Sequence, residues 1–222
     1  MAISRTEREH PKTAPRNPRR TRASILRSAT VLFAAKGLDG TSVDEIAARA
    51  GVNKRMLYHY FGNKDGLYLS VLQSVYQRIG QMSTDIVAKA TNLRELLNGL
   101  LREYFSFLQQ NPEFIALLNW ENSHGAEGLK KIDPTAAALP FIAAASQALD
   151  REQTNNNIRN DVDIKYLTMA CLGLCSYYFT NRYTLSVVFD MDLDDPAHME
   201  EWIKHISRLV LDGVTAESPK GD

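Results

Sequence analysis

Cysteine is nearly absent from this sequence of 222 residues: the two present, Cys171 and Cys175, stand four apart within one apolar run. That spacing puts both thiols on one face of a helix, where they cannot serve as a framework of stapling bridges, and it points to a reducing compartment. Glycine and proline are scarce as well, at 12 and 8, and long windows lack the alternation of apolar and polar residues that marks half-buried strands. Strands are therefore hard to place anywhere, and the pattern predicts an all-α protein. No apolar run reaches the roughly 18 residues of a membrane-spanning helix, and the N-terminus carries Arg and Pro where a signal peptide has an apolar segment. These absences lead us to expect a soluble, cytoplasmic protein with no membrane partner.

What is present is a large apolar fraction, 44%, ample for a packed core in a chain of this length. The formal net charge is zero, yet it is divided. Residues 1–65 hold 13 Lys or Arg against 6 Asp or Glu, and residues 66–222 hold 13 against 20. Such a division suits a small polyanion-binding unit joined to a larger unit that avoids polyanions. Residues 1–20, with three prolines, several basic residues and almost nothing apolar, read as a basic flexible arm.

From Thr21 the pattern changes. Ile25, Ala29, Leu32 and Phe33 fall on one face of a helix, and Gly37 follows as a left-handed stop. A second helix starts at Ser42, where Ser42 and Glu45 form an S-x-x-E capping box ahead of the stripe Val43, Ile46, Ala47 and Ala50, and Gly51 ends it after about two turns. Asn53 caps a third helix. Two short helices joined by a Gly-containing turn of about three residues spell a helix-turn-helix. A plain helical hairpin has the same outline, and the surface of the third helix separates the two readings.

That surface is VNKRMLYHYFGNK, residues 52–64. At about 100° per residue, Leu57, Tyr60 and Phe61 share the inward face, while Arg55 and His59 lie opposite, flanked by Met56 and Tyr58 and next to Lys54. A helix facing only water would carry Glu as readily as Lys, and no acid stands between Asn53 and Lys64. Arg55 can donate two hydrogen bonds to guanine O6 and N7, Met56 can touch a thymine methyl, and Tyr58 and Lys64 suit phosphate oxygens. The pattern predicts a helix that locks into a three-helix core and enters the major groove of double-stranded DNA.

The run RASILRSATVLFAAKGLDGTSVDEIAARAGVNKRMLYHYFGNKDGLYLSVL resembles the DNA-binding domain of the TetR family of transcriptional regulators. Phe33 and Gly37, Thr41-Ser42-Val43, Ile46-Ala47, Gly51-Val52, Leu57-Tyr58, Tyr60-Phe61 and Lys64 carry the resemblance, over about residues 21–72. It implies a homodimer that docks one recognition helix per half-site of a palindromic operator, repressing until a small-molecule effector enters the C-terminal domain. It places phosphate contacts on Ser42, Tyr58 and Lys64 and contacts near the bases on Lys54, Arg55, Met56 and His59, with Thr41 a weaker candidate. Arg55 stands where such proteins often carry a small residue, so it bears on which bases are read. The implied organisation is a helix-turn-helix domain over residues 21–66, an effector-binding and dimerisation bundle over 67–217, and a tail over 218–222.

In that bundle, helices are readable from Asn63 through Ile79 and at about 93–110, 112–122, 134–152, 163–188 and 196–215. The last two carry excess apolar surface: Leu167, Ala170, Cys171, Leu174 and Tyr178 on one, Met199, Trp202, Ile203, Ile206, Leu209 and Val210 on the other. A subunit interface is the family's use of these elements, and an intramolecular core is the alternative for any single residue. An effector pocket is expected around Phe105, Trp120, Phe141, Tyr177 and Phe179, with Glu121, His124 or Arg182 as polar groups.

Catalysis has no support. The stretch HMEEWIKH lacks the i, i+4 His pair of a zinc helix, and there is no phosphate-binding loop and no G-x-S-x-G. We expect no metal site, no cofactor and no enzyme activity. An architectural or partner-recruiting DNA-bound protein with no metabolite effector remains an open alternative.

Overall fold

The computed structural model describes residues 18–82 and 85–216, with the side chains of 134–141 left aside. The expected basic arm, up to residue 17, and the expected tail lie outside the described residues. The helices are α1 (Pro18–Lys36), α2 (Val43–Ala50), α3 (Lys54–Phe61), α4 (Lys64–Gly80), α5 (Asp85–Lys89), α6 (Leu93–Gln110), α7 (Pro112–Ser123), α8 (Pro134–Thr154), α9 (Ile164–Phe189) and α10 (Pro196–Val214), with a short 3-10 turn at Leu129–Lys131. Among the described residues, β pairing is limited to one isolated bridge, Ile158 with Thr215, which ties the end of α8 to the end of α10.

Helix α1 begins three residues ahead of the expected start at Thr21. Pro18 belongs naturally in a first turn, where its missing N–H leaves no gap. Helix α5 has no counterpart in the sequence reading: five residues, none buried, give no periodicity to detect.

The first three helices close on Ile25, Phe33, Ile46, Leu57 and Phe61, all buried. Helix α4 starts on this core and leaves it. Asn63 accepts from Gly66 N–H at its N-terminus, Leu67 and Tyr68 pack below Phe33, and the Phe33 and Tyr68 rings meet edge to face at 5.1 Å. Further along, α4 packs against α8, and Arg78 near its end donates to Asn111 at 2.9 Å and pairs with Glu113 at 2.7 Å. One continuous core thus runs from the three-helix unit into the bundle of α6–α10.

Helix α7 is the second link between the two parts, packing on α1. Its Trp120 ring lies over Gly37, where a Cβ would sit 2.1 Å from the ring. Gly37 also holds φ at 68°, so a glycine is required there twice over, once by the backbone and once by the neighbour. Beside it, Tyr68 Oη donates to Glu121 Oε1 at 2.7 Å, and Leu129 N–H donates to Glu121 Oε2 at 2.9 Å. These bonds explain how a carboxylate only 2% exposed is tolerated.

Candidate nucleic-acid interface and effector cavity

Three consecutive caps build the turn that presents α3. Ser42 Oγ accepts from Glu45 N–H at 3.2 Å while Glu45 Oε2 accepts from Ser42 N–H at 3.0 Å, the reciprocal box read in the sequence. The Lys36 ammonium, aided by Ser42, holds the Glu45 carboxyl down at about 2. Helix α2 ends at Gly51, in the left-handed region with φ at 65°, and Val52 N–H donates back to Ala47 O at 3.0 Å. Asn53 then accepts from Arg55 N–H at 2.9 Å and opens α3. The turn is therefore three residues long, and Ser24 Oγ donating to Ala50 O at 3.3 Å ties α1 to its edge.

On α3, Leu57 and Phe61 are buried and Tyr60 is half-buried, packed between the His59 and Phe61 rings. Arg55, Tyr58 and His59 are exposed on the opposite side, with Tyr58 at 47%, and Met56 is half-buried beside them. Arg22 of α1, itself exposed, stacks its guanidinium over the Phe61 ring at 5.0 Å. Lys54 is not a free cation: its ammonium donates to Asp44 Oδ2 at 2.8 Å across the turn, which raises its pKa. A phosphate must displace Asp44 to use it.

Two residues proposed for DNA contact, the weaker candidate Thr41 and the phosphate contact Lys64, have inward duties. Thr41 is 2% exposed, and its hydroxyl donates to Gly37 O at 2.8 Å. The hydroxyl that faces outward at this corner is that of Ser42. Lys64 is half-buried, with Nζ donating to Leu38 O at 2.9 Å and to Thr41 O at 3.2 Å. One ammonium thus braces the loop between α1 and α2 from the start of α4, and a single N–H is left to point outward.

The residues expected around an effector do not gather in one place. Phe105 is core, its ring 4.5 Å from that of Phe179 and 5.3 Å from that of Tyr178. Trp120, Glu121 and His124 line a cleft at the junction of α1, α4 and α7, with Trp120 and His124 stacked at 4.1 Å. Tyr177 is exposed on α9, and Arg182 pairs with Asp194 at 3.5 Å and stacks over Tyr183. Phe141 lies outside the described side chains. The bundle holds a small inner apolar cavity between α6, α8 and α9, a larger outer one between α4, α6, α7, α8 and α9, one between α9 and α10 lined by Tyr177, Trp202, His198, Glu201 and His205, and a polar one between α5, α6 and α8. Cys171 and Cys175 face the inner one, and burial pushes their thiols up to about 11 and about 12, so both are neutral and unreactive. The sequence carried one missed signal, the small or hydroxylic Thr168, Gly173 and Ser176 interrupting the mainly apolar first half of α9.

The stripe expected to face a partner subunit is divided. Leu167, Tyr178, Met199, Ile203, Ile206 and Val210 are buried within the chain, Ala170 and Leu209 are exposed, and Tyr166, Met169, Gly173, Tyr177, Thr180, Thr184 and Val187 recur along α9 at three- or four-residue spacing, all exposed. The period was legible, but which side of it meets α6 and which meets open surface was not.

Among the described residues no helix is long and apolar enough to cross a membrane. The family model described as "Bacterial regulatory proteins, tetR family" matches residues 25–71, and that described as "Tetracyclin repressor-like, C-terminal domain" matches residues 94–210. Over 196 residues the chain is 30% identical to the HTH-type transcriptional repressor NicS of Pseudomonas putida, covering 88% of this chain and 92% of that protein. The fold is shared with the ketosteroid transcriptional regulator KstR2 of Mycobacterium tuberculosis, at a TM-score of 0.65 and 20% identity over 88% of this chain and 95% of that one. It is shared equally with the hemolysin II transcriptional regulator HlyIIR, at 0.66 and 18% over 90% and 100%. With the capped helix-turn-helix, the cationic α3 face and both halves of the chain matched, this protein belongs to the TetR family of transcriptional regulators and is not an enzyme.

Proposed function

We propose that this protein is a homodimeric repressor that sets the two copies of α3 into successive major grooves of a palindromic operator and leaves the DNA when a small molecule occupies the C-terminal bundle. The observation that carries the DNA-binding part is the outward face of α3: Arg55, Tyr58 and His59 exposed together, no acid on the helix, and Leu57 and Phe61 locking it from behind. Arg55 reads a base edge, and Ser42, Tyr58 and the remaining N–H of Lys64 set register on phosphates. Lys54 exchanges Asp44 for a phosphate on docking, and the protein acts in the cytoplasm where that DNA lies.

The release part is supported by the two links between the domains. Phe114 and Leu118 of α7 line the outer cavity, and Trp120 and Glu121, on the last turns of the same helix, hold Gly37 and Tyr68. A ligand that shifts α7 therefore shifts the base of the DNA-binding unit, and with it the spacing of the two recognition helices, which must match one DNA turn of about 34–36 Å.

Selection of bound sequences from a random DNA pool tests this reading. One inverted repeat is expected, with strongly salt-dependent affinity. Arg55→Ala relaxes the preference at one position per half-site, at a cost of about 1–3 kcal/mol against the preferred base. A pool that yields no enriched repeat, or equal affinity for random duplex, refutes it.

A further inference from the structure

Two cavities of the bundle, the inner and the outer one, share a property that narrows what they can hold. The inner one has about 30 Å3 of free space and the outer one about 260 Å3. Tyr104, Ile142 and Leu172 line both, so the two cavities adjoin across these side chains. Joined, the two approach the lower end of the range for small-molecule sites, about 300 Å3. The described residues lining either cavity include no Asp, Glu, Lys, Arg or His. The sequence PTAAALPF, residues 134–141, just ahead of Ile142, contains none either.

The polar groups that are present are neutral. Burial pushes the Tyr104 and Tyr76 phenols up to about 12, and the Cys171 and Cys175 thiols are likewise held protonated. Thr168 already donates its hydroxyl proton to Ile164 O at 2.8 Å. The exception is the pair at the junction of the two cavities: Tyr104 Oη and Ser176 Oγ stand 3.2 Å apart, well beyond the usual 2.7–2.8 Å or so of a hydroxyl pair. Such a bond is weak enough to be replaced, and between them the two hydroxyls offer one donor and one acceptor to a third oxygen.

The geometry points to an uncharged, mainly apolar effector with one carbonyl or hydroxyl oxygen, its carbon skeleton filling the joined cavity and its oxygen held by Tyr104 and Ser176. In calling the molecule an effector, this rests on the ligand-released reading above. A carboxylate or an ammonium entering the same space would lose its hydration with no counter-charge to meet. The Trp120 cleft, lined by Asp39, Asp65 and Glu127 besides Glu121, is a separate space, so a cation bound there is told apart by its indifference to Tyr104→Phe and Ser176→Ala.

The test uses the full chain and four probes of one skeleton: 2-acetylnaphthalene, 2-naphthoate, 2-naphthylmethylammonium and 2-ethylnaphthalene, each titrated by calorimetry at neutral pH. The ketone is expected to bind once per protomer, with both charged probes weaker by about a hundredfold or more. Tyr104→Phe and, independently, Ser176→Ala should weaken the ketone about five- to tenfold and leave the hydrocarbon unchanged. Equal or tighter binding of either charged probe overturns the inference. So does failure of both neutral probes to bind, or equal loss of ketone and hydrocarbon in both variants. Operator binding followed on the same samples separates the two readings. Ketone that binds without releasing DNA leaves the cavity chemistry standing and removes the release mechanism, whereas release by 2-naphthoate alone does the reverse.

Discussion

Lys64 shows how one side chain serves two partners. The family motif assigns it to phosphate, yet its ammonium spans from α4 to two backbone carbonyls, Leu38 O and Thr41 O, on the loop that leads into α2. Those carbonyls converge because Gly37 turns the chain left-handed just before them. Lys64→Met is therefore expected to cost about 1–2 kcal/mol of stability, since hydrogen bonds from a charged donor are lost at a half-buried site. It should also weaken operator and random duplex by the same factor, because no base contact is touched. Lys54→Met serves as the contrast: its Asp44 partner is exposed, so the unfolding midpoint in urea should barely move while DNA affinity falls. A Lys64→Met midpoint equal to that of the parent would remove the brace. The lysine itself was legible in the sequence. Its acceptors were not, because carbonyl directions follow from a turn geometry that side-chain spacing does not record.

At the level of helices, most of the order could be read directly. Capping residues at Ser42, Asn53 and Asn63 and the glycines after α1 and α2 mark the boundaries of the DNA-binding unit almost residue by residue, since each acts on its own neighbours. The cavity was not legible, because an apolar residue becomes wall or core according to how α6, α8 and α9 cross, and a pattern of period 3.6 has no term for that. The contact of α7 with the DNA-binding unit was equally invisible, and Gly37 offers a way to measure it. Gly51→Ala meets only the backbone penalty of a positive φ, about 1 kcal/mol, because no atom lies within 4 Å of the added Cβ. Gly37→Ala meets the same penalty and also drives a methyl into the Trp120 ring, so about 2–4 kcal/mol is expected. In a Trp120→Ala background the Gly37→Ala cost should fall back to the Gly51 value, measured as a double-mutant cycle by urea unfolding. Additivity of the two substitutions would show that α7 does not bear on the α1–α2 corner.

For the whole molecule, the pressing fact is an exposed surface that a lone chain has no reason to keep. Tyr166 is 71% exposed and Val187 83% exposed, at opposite ends of the stripe on α9, with Gly173 between them leaving room for another backbone to approach. Large apolar side chains aligned along one helix are what an interface uses, and in the proposed dimer two-fold pairing through α9 would supply the symmetry that an inverted repeat needs. Such pairing would also set affinity, since the second recognition helix would then bind as if at high local concentration, a gain of about 10²–10⁴ over one half-site. Tyr166→Asp combined with Val187→Asp places charges at both ends of that stripe without touching α3 or the core. Sedimentation should then show a single chain of 24.9 kDa in place of a pair. Affinity for the full operator should drop by about the same 10²–10⁴, while affinity for an isolated half-site stays as it was. Retention of the paired mass by the double variant would move the subunit interface off α9, and loss of half-site binding would mean that the substitutions had damaged the fold and not the pairing.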